Sequence, residues 1–136
     1  MTGTKAKNGD IGRAKIFKLR NRFNPPLAWV FPTNDLVLTH EIGHIFGCEH
    51  NREEFENGNL RGGSNYGYLM RGSHMRTIMA YWSYGYNRRV PRFSSRDLRY
   101  EGVPLGDSKH DNRNQIIKTR FLISQMGGEY GKCQSQ

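Results

Sequence analysis

Three of the five histidines in this chain of 136 residues fall within one short stretch, "HEIGHIFGCEH", running from His40 to His50. That clustering constrains the local fold more than any other feature. The residues around it favour a helix, since from Leu36 to Phe46 the only breaker is Gly43. Leu36, Val37, Leu38, Ile42, Ile45 and Phe46 supply apolar surface for a buried face. Thr33 or Asn34 suits the N-cap, Asp35 suits the first turn, and Gly47 suits a left-handed C-cap, so a helix is predicted over 35–46.

On such a helix residues four apart share a face, which points His40 and His44 the same way. A sharp turn at Gly47 then lets His50 approach from the far side. Three neutral imidazoles with one position left for water form a tetrahedral zinc site of the catalytic kind, whereas structural zinc sites are closed by four protein ligands. Glu41 is displaced by about 100° around the helix from His40, beside the ion rather than on it. Cys48 lies two residues before His50 and is poorly placed to bind the same ion. The pattern H-E-x-x-H-x-x-G-x-x-H arises in shuffled sequences of this composition on the order of a few times in 100,000. An ordinary core helix rarely carries three histidines and a glutamate together.

The length bounds the chain to one domain or part of one. A hydrophobic fraction of 35% and the lack of any long apolar run argue for a soluble protein without a membrane span. The core is expected to be modest, because 16 glycines and many charges leave few residues to fill it. The first twenty residues show no apolar region of a signal peptide. The net charge of +9 is uneven. Residues 1–22 hold seven Lys/Arg against Asp10, and Arg88, Arg89, Arg92, Arg96 and Arg99 cluster near Asp97. Neither cluster sits in a nucleic-acid-binding motif, so a solvated basic surface is the simpler reading, with an anion-binding module as the weaker alternative.

Along the chain, residues 1–13 read as a polar leader. The short apolar runs 15–19 and 27–31, split by Pro25-Pro26, read as strands. Residues 51–76 are polar and rich in glycine, which predicts a long irregular loop, and 77–106 show no clear period. A last helix is expected over about 111–126, capped by Asp111 and stopped by Gly127-Gly128. Cys48 and Cys133 either form a disulfide or remain free thiols. His74 and His110 lack metal-ligand spacing and are read as surface or structural.

"HEIGHIFGCEH" resembles the extended zinc motif of the metzincin metallopeptidases, and "TIMAY" (77–81) resembles that family's methionine turn. "RTIMAYW", "VPRFSS" (90–95) and "YEGVPLGDSKHDNR" (100–113) bring the text closest to the reprolysin (adamalysin)-like branch, over about Leu36 to Met126. Asn51 departs from the aspartate usual in that branch. The resemblance implies an α+β, zincin-like catalytic domain. It has an active-site helix, an irregular methionine-turn region and a C-terminal helix, and its N-terminal sheet is truncated. Residues 1–33 are then a short basic leader with possible strands, the remnant of an N-terminal subdomain. Residues 34–136 are the zinc-binding helix and C-terminal subdomain.

Carried over, His40, His44 and His50 are the Zn2+ ligands, Glu41 the general base and Met79 the floor of the site. In related branches a tyrosine spaced like Tyr81 binds zinc or steadies the transition state; packing is the other reading here. Trp82, Tyr84, Tyr86 and Phe93 either wall the pocket for the residue after the scissile bond or pack under the methionine turn. The implied activity is a zinc endopeptidase acting on protein or peptide substrates, in a secreted setting. The alternative is an inactive zinc-binding remnant that lacks the substrate-binding sheet.

Overall fold

The computed structural model describes residues 12–14, 28–30, 35–55 and 62–130. Two helices frame a set of very short strands. Strands β1 (Gly12–Ala14) and β2 (Ala28–Val30) pair antiparallel, with Arg13 opposite Trp29, and lie against helix α1 (Asp35–Ile45). Within the apolar run 27–31, residues 28–30 therefore form a strand as predicted. The run 15–19 lies outside the described residues. Residues 12 and 13, read as leader, belong instead to β1, because a partner strand supplies backbone hydrogen bonds that a polar sequence does not advertise.

Helix α1 ends where Gly47 enters the left-handed region at φ 86°. Gly47 N–H bonds His44 O at 2.9 Å and Cys48 N–H bonds Gly43 O at 3.0 Å, the paired bonds of a Schellman motif. The chain then turns directly into β3 (Glu49–Asn51), which runs parallel to β4 (Tyr66–Gly67).

Over its described residues, 51–55 and 62–76, the stretch is not the long loop its composition suggests. A 3-10 turn (Arg52–Glu54) follows β3. Next come β4, β5 (Leu69–Met70) and β6 (Met75–Arg76), with Tyr66, Tyr68, Leu69, Met70 and Met75 all buried. Hydropathy averaged over that stretch is dominated by its turns, and strands of two residues are too short to show a period. β5 and β6 are antiparallel, and β6 pairs parallel with β7 (Arg88–Arg89). A hairpin of β8 (Arg99–Tyr100) and β9 (Val103–Pro104) turns through Glu101 and Gly102, both at positive φ, the combination a two-residue type I′ loop requires. One core gathers Tyr68, Met70, Met75, Val90 and Leu105. A second gathers Cys48, Ile78 and Met79, with Leu36, Phe93 and Ile116 against it.

Helix α2 (Asn112–Tyr130) begins as predicted, with Asp111 Oδ1 accepting Asn114 N–H at 3.2 Å. It does not stop at Gly127-Gly128 but continues to Tyr130. A glycine pair lowers helix propensity without forbidding the helix. α2 ties down the end of α1: Thr119 Oγ1 donates to Phe46 O at 2.8 Å, and Gln115 Nε2 reaches the same carbonyl at 3.3 Å. Ser94 Oγ accepts Asn112 N–H at 2.9 Å and lies 2.6 Å from Tyr66 O, locking α2 to β4.

Candidate metal centre

α1 and β3 bring His40, His44 and His50 together as the sequence predicted. Their Nε2 atoms form a triangle with edges of 3.2 Å (His40–His44), 3.2 Å (His40–His50) and 2.9 Å (His44–His50). Two of the rings have a fixed tautomer. His40 Nδ1 lies 2.9 Å from Ile78 O, and His44 Nδ1 lies 2.8 Å from Cys48 O. A carbonyl oxygen only accepts, so each Nδ1 carries the proton and each Nε2 presents a bare lone pair. His40 and His44 therefore cannot hydrogen-bond each other through Nε2, although these atoms nearly touch.

Lone pairs converging at this distance repel unless a cation lies among them. Nitrogens bound tetrahedrally at about 2.0–2.1 Å sit about 3.3–3.4 Å apart, close to the observed edges. The three residues can thus hold a metal ion, and backbone carbonyls orient two of the imidazoles from behind, the arrangement usual for metal-binding histidines.

Burial keeps these imidazoles neutral and ready to ligate. Desolvation pulls His40 down to about 4 and His50 to about 3, and it lowers His44 as well. Neighbouring imidazoles, and the positive charges of Arg89 and Arg76, push the same way at His40; Arg89 does so at His50.

The methionine turn lies directly behind α1. Met79 is fully buried, and Ile78, the residue before it, supplies the carbonyl that orients His40. Gly43 makes the close approach possible. A Cβ there would collide with Met79 Sδ and come within 2.8 Å of Phe93 Cε1. A glycine inside a helix costs about 1 kcal/mol relative to alanine, and here it offsets that by admitting the thioether and the ring.

Tyr81 leaves the turn at 41% exposure with its ring 3.7 Å from the His50 ring, centroid to centroid, and nearly parallel to His40 at 5.8 Å. Its backbone N–H donates to Asn51 Oδ1 at 2.9 Å. Asn51, fully buried on the strand that carries His50, therefore clamps β3 to the methionine turn. Sequence reasoning noticed that residue only as a departure from a family pattern. Glu41 is buried on α1 next to His40.

The other candidates separate cleanly. Phe93 packs with Met79, whereas Trp82 and Tyr84 are exposed. His74 sits at the surface with Nδ1 2.9 Å from Gly85 O. His110 is buried away from the triad, its Nδ1 2.7 Å from Asp107 Oδ1. Cys48 is a free, buried thiol directed at Asn112 O, and burial pushes its pKa up; Cys133 lies outside the described residues.

The basic cluster divides. Arg88 grips Glu101 at 2.7 and 2.9 Å, and Arg96 lies near Asp97 and Asp111. Arg89 instead is half-buried with its charge felt at the histidines. Arg76 beside it was missed by sequence reasoning. Only its place three residues ahead of Met79 hinted at the site.

These elements define a metallopeptidase-type site: paired histidines on a helix, a third on the strand after it, and a methionine beneath. A reprolysin-type model of metallo-peptidase family M12 matches residues 2–94, and the chain belongs to that family. The match takes in residues ahead of α1 and stops short of α2.

The chain is also similar to the peptidyl-Asp metalloendopeptidase of Stenotrophomonas maltophilia (strain R551-3). They are 31% identical over 99 residues, covering 71% of this chain and 24% of that protein. The protein of the same name from Xanthomonas campestris pv. campestris is 31% identical over 98 residues, covering 71% of this chain and 23% of its own length. The chain thus spans less than a quarter of these curated relatives. No solved structure matches it.

Proposed function

We propose that this chain is the zinc-binding part of a metzincin-type endopeptidase, with His40, His44 and His50 as the zinc ligands. The observation that carries this reading is the set of converging Nε2 atoms, two of them fixed as lone-pair donors by Ile78 O and Cys48 O. Zinc held there would supply a Lewis acid that lowers the pKa of water toward about 7 and polarises a peptide carbonyl.

Glu41 is the general base in this reading. It takes a proton from the attacking water and returns it to the leaving amine, so no acyl-enzyme forms and Cys48 has no catalytic role. Tyr81 is the second catalytic group, its hydroxyl donating to the oxyanion while its ring covers His50. Met79 supports the ligand helix from below. The relatives' name extends the reading to peptidyl-aspartate bonds as the substrate. A secreted setting goes with the resemblance, and no described helix is long and apolar enough to cross a membrane.

The test compares wild type with Glu41→Gln, by metal content and by cleavage of a quenched peptide. Both should bind one zinc, and the variant should lose about 10²–10⁴-fold in turnover. Zinc binding by both with no turnover by either would assign the chain to the inactive, zinc-binding alternative. Absence of zinc from both would refute the site itself.

A further inference from the structure

We infer that Arg76 and Arg89 form a carboxylate-receiving subsite beside the histidine triad, which selects an acidic side chain of the peptide substrate. The inference rests on the peptidase reading and names the residues of this chain that would set its preference.

The two arginines are cross-strand neighbours, Arg76 opposite Arg89 in the parallel β6–β7 pair. Alternation along a strand sends adjacent residues to opposite faces. Arg88 accordingly points with Met75, 3.5 Å from its Sδ, and finds its acid in Glu101. Arg76 and Arg89 occupy the other face, where both charges are felt at His40 and that of Arg89 also at His50. Arg76 also lies two residues before Ile78, whose carbonyl is 2.9 Å from His40 Nδ1, which places this arginine pair on the triad's side and apart from the surface pair of Arg88.

Among the described residues neither guanidinium has its full set of partners. Arg76 is only 8% exposed, yet its Nε and Nη1 lack hydrogen-bond partners, as does the buried Nε of Arg89. Among the described residues no carboxylate pairs with either. Buried donors are normally satisfied, and buried like charges side by side are unfavourable without a counter-charge. Burial and the charge of Arg89 weaken proton binding at Arg76 to about 10, which still leaves it cationic at neutral pH. A planar, forked donor with unpaired N–H groups matches a carboxylate, and two together specify charge as well as shape. β6 ends at Arg76, and two residues on, in the turn that follows, Ile78 supplies the carbonyl that orients His40. A side chain seated on the arginines would therefore fix the peptide relative to the ligand helix.

The test uses two peptides that differ only by aspartate or asparagine. Binding is measured by fluorescence anisotropy to the zinc-loaded Glu41→Gln chain, and cleavage with the wild-type side chain at 41. The aspartyl peptide should bind about 10- to 100-fold tighter, the range for a hydrogen-bonded charge. Arg76→Gln and Arg89→Gln should each collapse that ratio toward one, while Arg89→Lys, which keeps the charge and loses the fork, should retain part of it. Circular dichroism confirms that each variant is folded. A purely structural role would change the melting temperature and leave the ratio intact, which overturns the inference. So would equal binding of the two peptides, or no binding of either up to millimolar concentration. A ratio that holds without any cleavage sinks the peptidase reading alone, whereas cleavage of both peptides at equal rates sinks the subsite alone.

Discussion

Replacing Gly43 by alanine pits two effects of opposite sign against each other. In an unobstructed helix the change stabilises by about 1 kcal/mol through helix propensity. At this position the new methyl runs into Met79 Sδ and approaches Phe93 Cε1 to 2.8 Å. Met79 is fully buried, so its thioether must shift among packed neighbours to admit the methyl. Overpacking of this kind costs about 1–3 kcal/mol, so the net expectation is a loss of about 1 kcal/mol, with an upper bound near 2. Met79→Ala alone leaves a cavity and should cost about 2–5 kcal/mol.

The double variant is the informative one, because the truncated side chain vacates the space the new methyl needs. It should be more stable than the sum of the single effects by about 1–2 kcal/mol, well above the ~0.5 kcal/mol within which independent sites add. Urea unfolding of the metal-free chain measures all four corners of the cycle. Chelator competition should also show weakened metal binding in Gly43→Ala, since displacing Met79 displaces the neighbouring Ile78 carbonyl that holds His40. Additive effects, or a Gly43→Ala chain that is more stable than wild type, would refute the close packing of the methionine turn against α1.

Two further outcomes follow from the same geometry. Asn51→Ala removes the acceptor of Tyr81 N–H from a fully buried position, together with the donor to Glu53 Oε2, and should lower stability by about 1–3 kcal/mol; an unchanged urea midpoint would contradict the clamp. The metal-free chain should also be acid-sensitive. The folded-state pKa values of His40 and His50 lie below the ordinary 6.5, so the unfolded chain binds more protons. This contribution to stability is full above pH 6.5 and is lost as pH falls toward about 4 for His40 and about 3 for His50. A urea midpoint that stays flat from pH 6.5 to 4 would count against burial of neutral imidazoles.

The helix over 35–45, its left-handed stop at Gly47 and the gathering of His40, His44 and His50 were legible in the sequence. All three depend on residues within one turn or two of each other, where helical spacing and the φ demanded of Gly47 act locally. Met79 was legible for the same reason, as part of a compact motif. Asp111 announced the start of α2 through a cap bond that spans three residues. The glycine pair misled at its other end, because propensity biases a helix without ending it.

Only tertiary structure decided the rest. Strands of two or three residues have no period to read, so β4 to β6 were hidden in a stretch whose turns dominate its composition. The tautomers of His40 and His44 depend on carbonyls at Ile78 and Cys48, and the tie between Asn51 and Tyr81 spans thirty residues. The division of the arginines is the clearest case. Arg88 and Arg89 are adjacent in the chain and identical in chemistry, but the pleat sends one to Glu101 and the other toward the histidines. A sequence lists charges; which of them lose water and which find a counter-ion is fixed only when the strands pair.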